Sequence, residues 1–194
     1  MPAGGIHLCL AESVARKLKK EITLDFLIGN VAPDSWRNSS STKEGTHFIN
    51  LPDSFDYNYE YFYEKYQEYL SNDFVLGYLV HLITDKYWHN NNFITTIVEK
   101  DEYDDLNKAC SMLVGMYNIP KLTISSALVN PVEELDTLGI SKTIDYLNSV
   151  NYLSDTNNKY NIDELVARIN DTCLFVVSEL SRLQEKEHKM TIKH

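Results

Sequence analysis

The 194-residue chain is 43% hydrophobic and 24% charged, values that exclude a disordered or membrane-embedded class and predict one globular domain over residues 1–194. Its formal net charge of -10 disfavours attraction to nucleic acid duplexes or to anionic membrane surfaces. A phosphate-bearing substrate would therefore need a local cation.

Apolar residues recur mostly at intervals of three and four, which predicts helices packed on helices. The first helix is predicted over residues 7–20. A short second helix, residues 23–28, is expected to end at Gly29, and Pro33 then prevents its continuation. The polar segment of residues 35–45 is predicted to be a mobile surface loop.

A tyrosine-rich helix is predicted over residues 57–70, and the next helix begins at Asn72 or Asp73 and extends to about His89. The tyrosines are interpreted as packing residues, and an aromatic wall for a lipid or nucleobase is the alternative. Later helices are predicted over residues 101–117, 123–127, 132–138, 142–150 and 162–185. Because no strand or repeat is recognisable, the expected fold is a single-domain, all-α helical bundle.

His81 and Asp85 are one helical turn apart in the segment FVLGYLVHLITDKYW, so they share one helix face. Gly77, one turn earlier, leaves room on that face for a neighbouring helix or a ligand. An imidazole and a carboxylate placed in this way can bind one metal ion together. An isolated pair of this kind is more often a buried hydrogen-bonded pair, so the motif alone leaves both interpretations open.

Three similar residues, His7, Asp34 and His47, stand where irregular backbone would permit them to converge on the same helix. Three histidines and two carboxylates suit zinc or another borderline divalent metal. The sequence therefore predicts a metal site formed by these three residues together with His81 and Asp85.

The segments G-I-H-L-x-L-A-E, G-N-V-A-P-D, T-H-F and L-G-Y-L-V-H-L-I-T-D resemble, in order and spacing, the zinc-dependent phospholipase C family, which is related to the single-strand zinc nucleases. The resemblance covers residues 5–92. It implies an all-helical fold that holds up to three zinc ions for the hydrolysis of phosphodiesters or related esters. By this resemblance, Asp34, His47, His81 and Asp85 match the ligands of one metal, and Asp85 could bridge to a second metal that His7 also binds.

The sequence departs from this family pattern at the start of the chain and after the H-x-x-x-D block. The secreted enzymes place their mature N-terminal residue on a metal, and the start of this chain does not match. They also have further histidines and a glutamate downstream, where this chain offers His89 at a different spacing and then no histidine until His188. One zinc site is therefore expected, a second is left open, another divalent metal is an alternative to zinc, and the role of His89 is undecided.

The expected function is that of a phospholipase C-like, zinc-dependent phosphoesterase acting on a phosphodiester, a phosphomonoester or a phospholipid. Asp34 is the first candidate, and Asp85 the second, for the catalytic carboxylate that steers the attacking water or takes its proton. One alternative is a nucleotide phosphohydrolase of the histidine-aspartate superfamily, against which the absence of a His-Asp dipeptide argues. The other is a non-catalytic helical binding module whose fold is stabilised by a structural metal.

Three further features bear on the compartment. No stretch approaches the about 20 apolar residues of a membrane span, and the first residues lack the basic segment of a secretory signal. The three cysteines, Cys9, Cys110 and Cys173, are far apart and lack paired spacing, which indicates buried thiols in a reducing compartment. We expect a cytoplasmic protein with no membrane span and a small phosphate ester or lipid as substrate; the sequence carries no signal for an oligomeric state.

Overall fold

The computed structural model describes residues 3–50, 56–91, 100–123, 132, 134–135, 139–153 and 157–191. Its α-helices are α1 (Gly4–Lys17), α2 (Leu24–Val31), α3 (Lys43–Thr46), α4 (Tyr59–Tyr66), α5 (Asp73–Asn90), α6 (Lys100–Met116), α7 (Ile140–Val150) and α8 (Ile162–Thr191). Two 3-10 helices span Ala32–Asn38 and Gln67–Tyr69. The predicted all-α fold is confirmed. None of the helices within these ranges has the length and apolar character that crossing a membrane requires.

Helix α5 lies at the centre of the bundle and packs against α1, α2, α4 and α8. It begins as predicted, because the Asn72 side chain accepts hydrogen bonds from the backbone N–H groups of Phe74 (3.0 Å) and Val75 (3.3 Å). Its middle is buried on every side, as expected for a helix that is apolar all round. Any polar side chain in this stretch must therefore find its partner inside the protein.

Helices α2 and α5 touch backbone to backbone through two glycines. A Cβ atom added to Gly29 would lie 2.1 Å from the Phe74 carbonyl oxygen, and one added to Gly77 would lie 2.2 Å from the Phe26 carbonyl oxygen. The prediction that α2 ends at Gly29 is wrong, since the helix continues to Val31 and Gly29 serves this close approach instead. The room that Gly77 leaves is occupied by the neighbouring helix.

The predicted loop over residues 35–45 is also wrong for most of its length. The 3-10 helix Ala32–Asn38 has Pro33 in its first turn, where the fixed φ of proline suits a helix. Helix α3 follows, and the Thr42 hydroxyl caps it by accepting a hydrogen bond from the Gly45 N–H at 3.1 Å. These two short helices bring the segment into contact with the core.

The tyrosine-rich segment begins later as a helix than predicted. Tyr57 lies in a two-residue strand, β2 (Asp56–Tyr57), which pairs antiparallel with β1 (Ile49–Asn50), so the expectation of no strand is wrong at this point. The Asn58 side chain then caps α4. Phe62 is buried and stacks on Tyr78, with ring centroids 5.1 Å apart, which supports packing as the role of this helix. The predicted helices over 123–127 and 132–138 fall mostly outside the described residues.

Candidate metal centre

The structure brings together all five residues that the sequence singled out. His7 lies near the start of α1, Asp34 in the first 3-10 helix and His47 directly after α3, while His81 and Asp85 lie on α5. Four of these side chains are fully buried, and the Asp34 side chain keeps 18% of its surface exposed. The cluster is thus an internal polar site with one side that reaches solvent.

The Asp85 carboxylate lies at the centre of this cluster. Its Oδ1 is 3.3 Å from His7 Nε2, and its Oδ2 is 3.4 Å from His47 Nε2 and 3.6 Å from His81 Nε2. The Asp34 Oδ1 is 3.6 Å from His47 Nε2. Despite these short distances, neither oxygen of Asp85 makes a hydrogen bond to any of the residues that the structure describes. A fully buried carboxylate without hydrogen bonds lowers the stability of the fold unless a nearby positive charge compensates it.

Two histidines are held so that their Nε2 atoms face each other. His81 Nδ1 lies 2.7 Å from the Asn30 carbonyl oxygen, and His47 Nδ1 lies 3.1 Å from the Lys43 carbonyl oxygen. Because a carbonyl only accepts hydrogen bonds, the His81 Nδ1 carries the proton, and the neutral ring presents a lone pair at Nε2. The His47 Nδ1 also lies 3.0 Å from the Thr46 hydroxyl, and in the tautomer that donates to Lys43 the His47 ring presents its lone pair at Nε2 as well. These two Nε2 atoms are 3.2 Å apart. Two lone pairs so close repel each other unless a proton or a metal cation lies between them.

The His7 ring stacks on the His81 ring, with centroids 3.9 Å apart and planes 9° from parallel. Neither ring nitrogen of His7 has a hydrogen-bond partner in the described part of the chain, although the side chain is fully buried. Burial lowers the pKa of His7 to about 4, and the nearby His81 charge acts in the same direction. At neutral pH, His7 is therefore uncharged, which is the form that binds metals.

The charges of the cluster compensate one another when no metal is considered. Burial alone would raise the pKa of Asp85 and of Asp34, but the histidines hold both values well below the usual range. Burial would likewise lower the pKa of His81, but Asp85 raises it above its usual value. Protons on histidines thus stabilise the buried carboxylates. A divalent cation would supply the same positive charge and would displace those protons.

The donor set fits zinc. Within the described residues, His7, Asp34 and His81 form one group whose donor atoms all lie within 4.8 Å of one another, and His47, His81 and Asp85 form a second. Imidazole nitrogens and carboxylate oxygens are common zinc ligands. The unpartnered atoms of His7 and Asp85 are those that a metal would satisfy.

His89, whose role the sequence left undecided, lies in neither of these groups. It is exposed near the C-terminal end of α5, and its ring lies 5.9 Å from the Tyr57 ring. Because it lies one helical turn after Asp85, it is beyond the cluster and close to the surface.

Three further residues lie around the cluster, and the sequence did not predict a role for them there. Asn30 is fully buried and orients His81 through its backbone carbonyl, and its side chain donates to the Gly77 carbonyl at 3.2 Å. The buried Tyr57 ring lies 6.0 Å from the His47 ring, and the Lys43 ammonium lies 5.7 Å from the centre of the Tyr57 ring. An asparagine inside the apolar run of α2 was the one signal that could have pointed to Asn30.

Comparisons with known proteins bear on this cluster. The family described as zinc dependent phospholipase C matches residues 6–179, a range that contains all five residues of the cluster. The match extends well beyond residues 5–92, over which the sequence segments carry the resemblance. No curated protein and no solved structure matches the chain significantly.

Proposed function

The chain belongs to the zinc-dependent phospholipase C family, and from this premise we propose that it is a zinc-dependent phosphoesterase. The proposed substrates are phosphodiesters, phosphomonoesters or phospholipids. The observation that carries the proposal is the pair of opposed Nε2 atoms of His47 and His81, 3.2 Å apart. They lie beside a buried Asp85 carboxylate that makes no hydrogen bond within the described ranges. A zinc ion bound between these atoms would remove the repulsion of the two lone pairs and compensate the carboxylate, and the family membership favours zinc.

In this proposal, Asp34, His47, His81 and Asp85 hold one zinc ion. His7 adds a further imidazole beside Asp85, either for the same ion or for a second one. When bound, zinc supplies a Lewis acid that polarises a phosphoryl oxygen and lowers the pKa of water. The carbonyls of Asn30 and Lys43 fix the tautomers of His81 and His47, so they orient the lone pairs towards the ion.

Asp34 is the proposed catalytic carboxylate, because it is the one member of the cluster whose side chain reaches solvent. A carboxylate with a lowered pKa stays ionised and binds a proton weakly. Its main contribution is therefore to accept a hydrogen bond from the attacking water and to orient it towards the phosphorus. Asp85 is fully buried and central, and it contributes chiefly as a ligand and as the charge that keeps His81 in place.

The test compares three samples: zinc-loaded protein, chelated protein and a zinc-loaded Asp34→Asn variant. Each is assayed with p-nitrophenyl phosphate, bis(p-nitrophenyl) phosphate and phosphatidylcholine vesicles, and zinc is measured in every sample. We expect hydrolysis that depends on zinc and that falls at least 100-fold in the variant. Equal rates in all three samples would contradict the proposal, because such activity would come from a contaminant.

A second candidate function is a helical binding module in which the metal only stabilises the fold. The full burial of His7, His47, His81 and Asp85 favours it, since a closed structural site keeps its ion away from solvent. In that case zinc would raise the melting temperature, and the zinc-loaded protein would hydrolyse none of the three substrates. The exposed side of Asp34 favours the enzyme instead.

A further inference from the structure

A groove lies between the C-terminal ends of α1 and α6 and the first half of α8. Its volume is about 660 Å³, and sites for small organic molecules commonly measure about 300–1,000 Å³. None of the five cluster residues lines it. Ser13, where the groove begins on α1, is about 9 Å along the helix axis from His7. The groove is lined on its apolar side by Met116, Tyr117, Val166, Cys173 and Leu174.

The apolar lining of this groove includes large side chains that stay exposed. Met116 and Leu174 are each 56% exposed, Val166 is partly buried, and Cys173 is almost fully buried. Apolar side chains gathered around a concave space, rather than scattered singly over the surface, are typical of a place that binds another apolar group. The groove can therefore bury a hydrocarbon chain.

The polar edge of the groove is cationic. Arg16 and Lys17 line it, and no carboxylate does. Arg16 Nε donates to the Glu12 carboxylate at 3.1 Å, so the charge of Arg16 is compensated. Lys17 is exposed and makes no ion pair with the residues that the structure describes. Burial raises the pKa of the Cys173 thiol, and the Lys17 charge acts against that rise, so the field of Lys17 reaches into the groove.

Residues 16–20 carry four of the 18 lysines and arginines of a chain whose formal net charge is -10. One of the four, Lys20, pairs with Asp73 at 2.6 Å. Positive charge at the C-terminal end of a helix is favourable in itself, so these cations alone would not indicate a site. An unpaired cation at the edge of an apolar groove, however, is complementary to a molecule that has an anionic head and an apolar chain.

We propose that the groove binds a fatty-acid anion, with its chain against Met116, Val166 and Leu174 and its carboxylate at Lys17. The site is separate from the metal centre, and the inference does not rest on the proposed phosphoesterase function. The net negative charge of the protein disfavours an anionic membrane surface as the occupant. A single small anion responds mainly to charges within the screening length of about 8 Å, where Lys17 dominates.

The experiment measures the binding of octanoate, decanoate and dodecanoate to the purified protein by calorimetry, below the concentrations at which they form micelles. The affinity should rise about 2- to 4-fold for each added methylene, as burial of the chain requires. Dodecyltrimethylammonium has the same chain length and a cationic head. It should bind at least 10-fold more weakly than dodecanoate, because its head would meet Lys17.

Charge variants test the role of Lys17. Lys17→Met removes the charge and should weaken dodecanoate binding about 10-fold, whereas Lys17→Arg should restore most of the affinity. Lys19→Met is the matched control, because Lys19 is exposed two residues further along the chain and does not line the groove. It should bind dodecanoate as the unmodified protein does. Arg16 is left in place, since its removal would leave the buried Glu12 without its partner.

An apolar variant tests the wall of the groove. Leu174→Ala should weaken dodecanoate binding about 5-fold and octanoate binding less, because the longer chain covers more of the wall. Leu153→Ala makes the same change at an exposed leucine outside the groove and should have no effect on either. The melting temperature and zinc content of each variant are measured without fatty acid, and both should match those of the unmodified protein.

The outcomes distinguish this site from other occupants of the groove. Dodecanoate affinity that is unchanged in both Lys17→Met and Leu174→Ala would overturn the site. Equal affinities for dodecanoate and dodecyltrimethylammonium would overturn the anionic occupant. Flotation with phosphatidylglycerol vesicles that needs Lys17, without binding of any free fatty acid, would overturn the proposal in favour of membrane docking. Dodecanoate binding that needs both Lys17 and Leu174 and persists in Asp34→Asn would support a site separate from the metal centre.

Discussion

Helix α5 holds two buried polar regions that differ in how their polar atoms are hydrogen-bonded. At Trp88, the indole N–H donates to the Thr172 hydroxyl at 2.9 Å, and that hydroxyl donates to the Arg168 carbonyl at 2.7 Å. Less than one turn earlier, Asp85 is equally buried and makes no hydrogen bond to a described residue. The protein therefore completes the polar chain between α5 and α8 by itself, whereas the cluster between α5, α1 and the 32–47 segment leaves His7 and Asp85 without hydrogen bonds to the described residues.

The largest expected effect is on zinc binding. Asp85→Asn keeps the shape of the side chain and removes its charge, so it should lower the affinity for zinc at least 100-fold and remove the stabilisation that zinc gives. Asp73→Asn, the same change at the other end of α5, is the control and should leave zinc binding unchanged. Zinc titration and thermal unfolding with and without zinc measure both effects. Normal zinc content in Asp85→Asn would mean that the Asp85 carboxylate is not needed to hold the metal.

The next effect concerns the contact that holds α2 against α5. Gly77→Ala places a Cβ atom against the backbone of Phe26, so we expect a loss of about 2–3 kcal/mol in the free energy of unfolding. The change should also weaken zinc binding, because α2 carries the Asn30 carbonyl that orients His81. Urea unfolding and zinc titration are the measurements.

Gly115→Ala, in α6, is the control for Gly77→Ala. It adds the same methyl group to a helix where nothing lies within 4 Å of the new atom. It should stabilise the protein by up to about 1 kcal/mol and leave zinc binding unchanged. If Gly77→Ala loses stability but binds zinc normally, the cluster does not depend on the spacing of α2 and α5.

A smaller effect is expected from the region that the protein completes by itself. Thr172→Val removes the acceptor of the Trp88 N–H and should lower the free energy of unfolding by about 1–2 kcal/mol. Zinc affinity should stay the same, which is the reverse of the result for Asp85→Asn. A loss of zinc in Thr172→Val would show that the two regions of α5 are not independent.

The smallest expected effect is the pH-dependent contribution to stability of Asp73, a carboxylate at the start of α5. Burial alone would raise the pKa of Asp73, but the Lys20 ammonium at 2.6 Å and the Thr23 hydroxyl at 2.5 Å lower it below its usual value. Its folded pKa is lower than its unfolded pKa. The stabilisation is therefore fully present above the unfolded pKa and is lost as the pH falls through the folded pKa.

Urea unfolding of the unmodified protein and of Asp73→Asn, from pH 6 down to pH 2, isolates this contribution. The difference in stability should be about 0.5 kcal/mol at pH 6 and should vanish at the acid end. Acid titration of the cluster occurs in both proteins and cancels in the difference. A difference that grows towards low pH would contradict the assigned pairing with Lys20.

The sequence predicted α5 well because its signals are local. The cap at Asn72 and the spacing of His81 and Asp85 depend on residues within one or two turns. The prediction that the five residues converge rested on the order of the family-like segments, because no local rule predicts it. His7 stands 78 positions before Asp85 in the chain, and only the packing of α1 brings its ring to 3.3 Å from that carboxylate.

The sequence failed where tertiary contacts override local preferences. Gly29 was interpreted as a helix stop because glycine commonly ends helices, but here it permits a neighbouring backbone to approach. Residues 35–45 were interpreted as a loop because they are rich in serine, although Pro33 and Thr42 each start a short helix. Lys43 was missed for the same reason, since a lysine in a supposed surface loop gives no indication of a tyrosine ring beneath it.

The exposure of Asp34, alone among the five cluster residues, bears on how fast a metal could exchange. A metal ion held there would enter and leave past this one side chain, or else would wait for a helix to move away from α5. If exchange requires a helix to move, release would be governed by rare opening of the fold, and a chelator in solution would remove the ion slowly even where equilibrium favours removal. In that case the bound ion would reflect which ion was present while the chain folded, more than which ion surrounds the folded protein, whereas exchange past Asp34 would let the bound ion follow the surrounding solution.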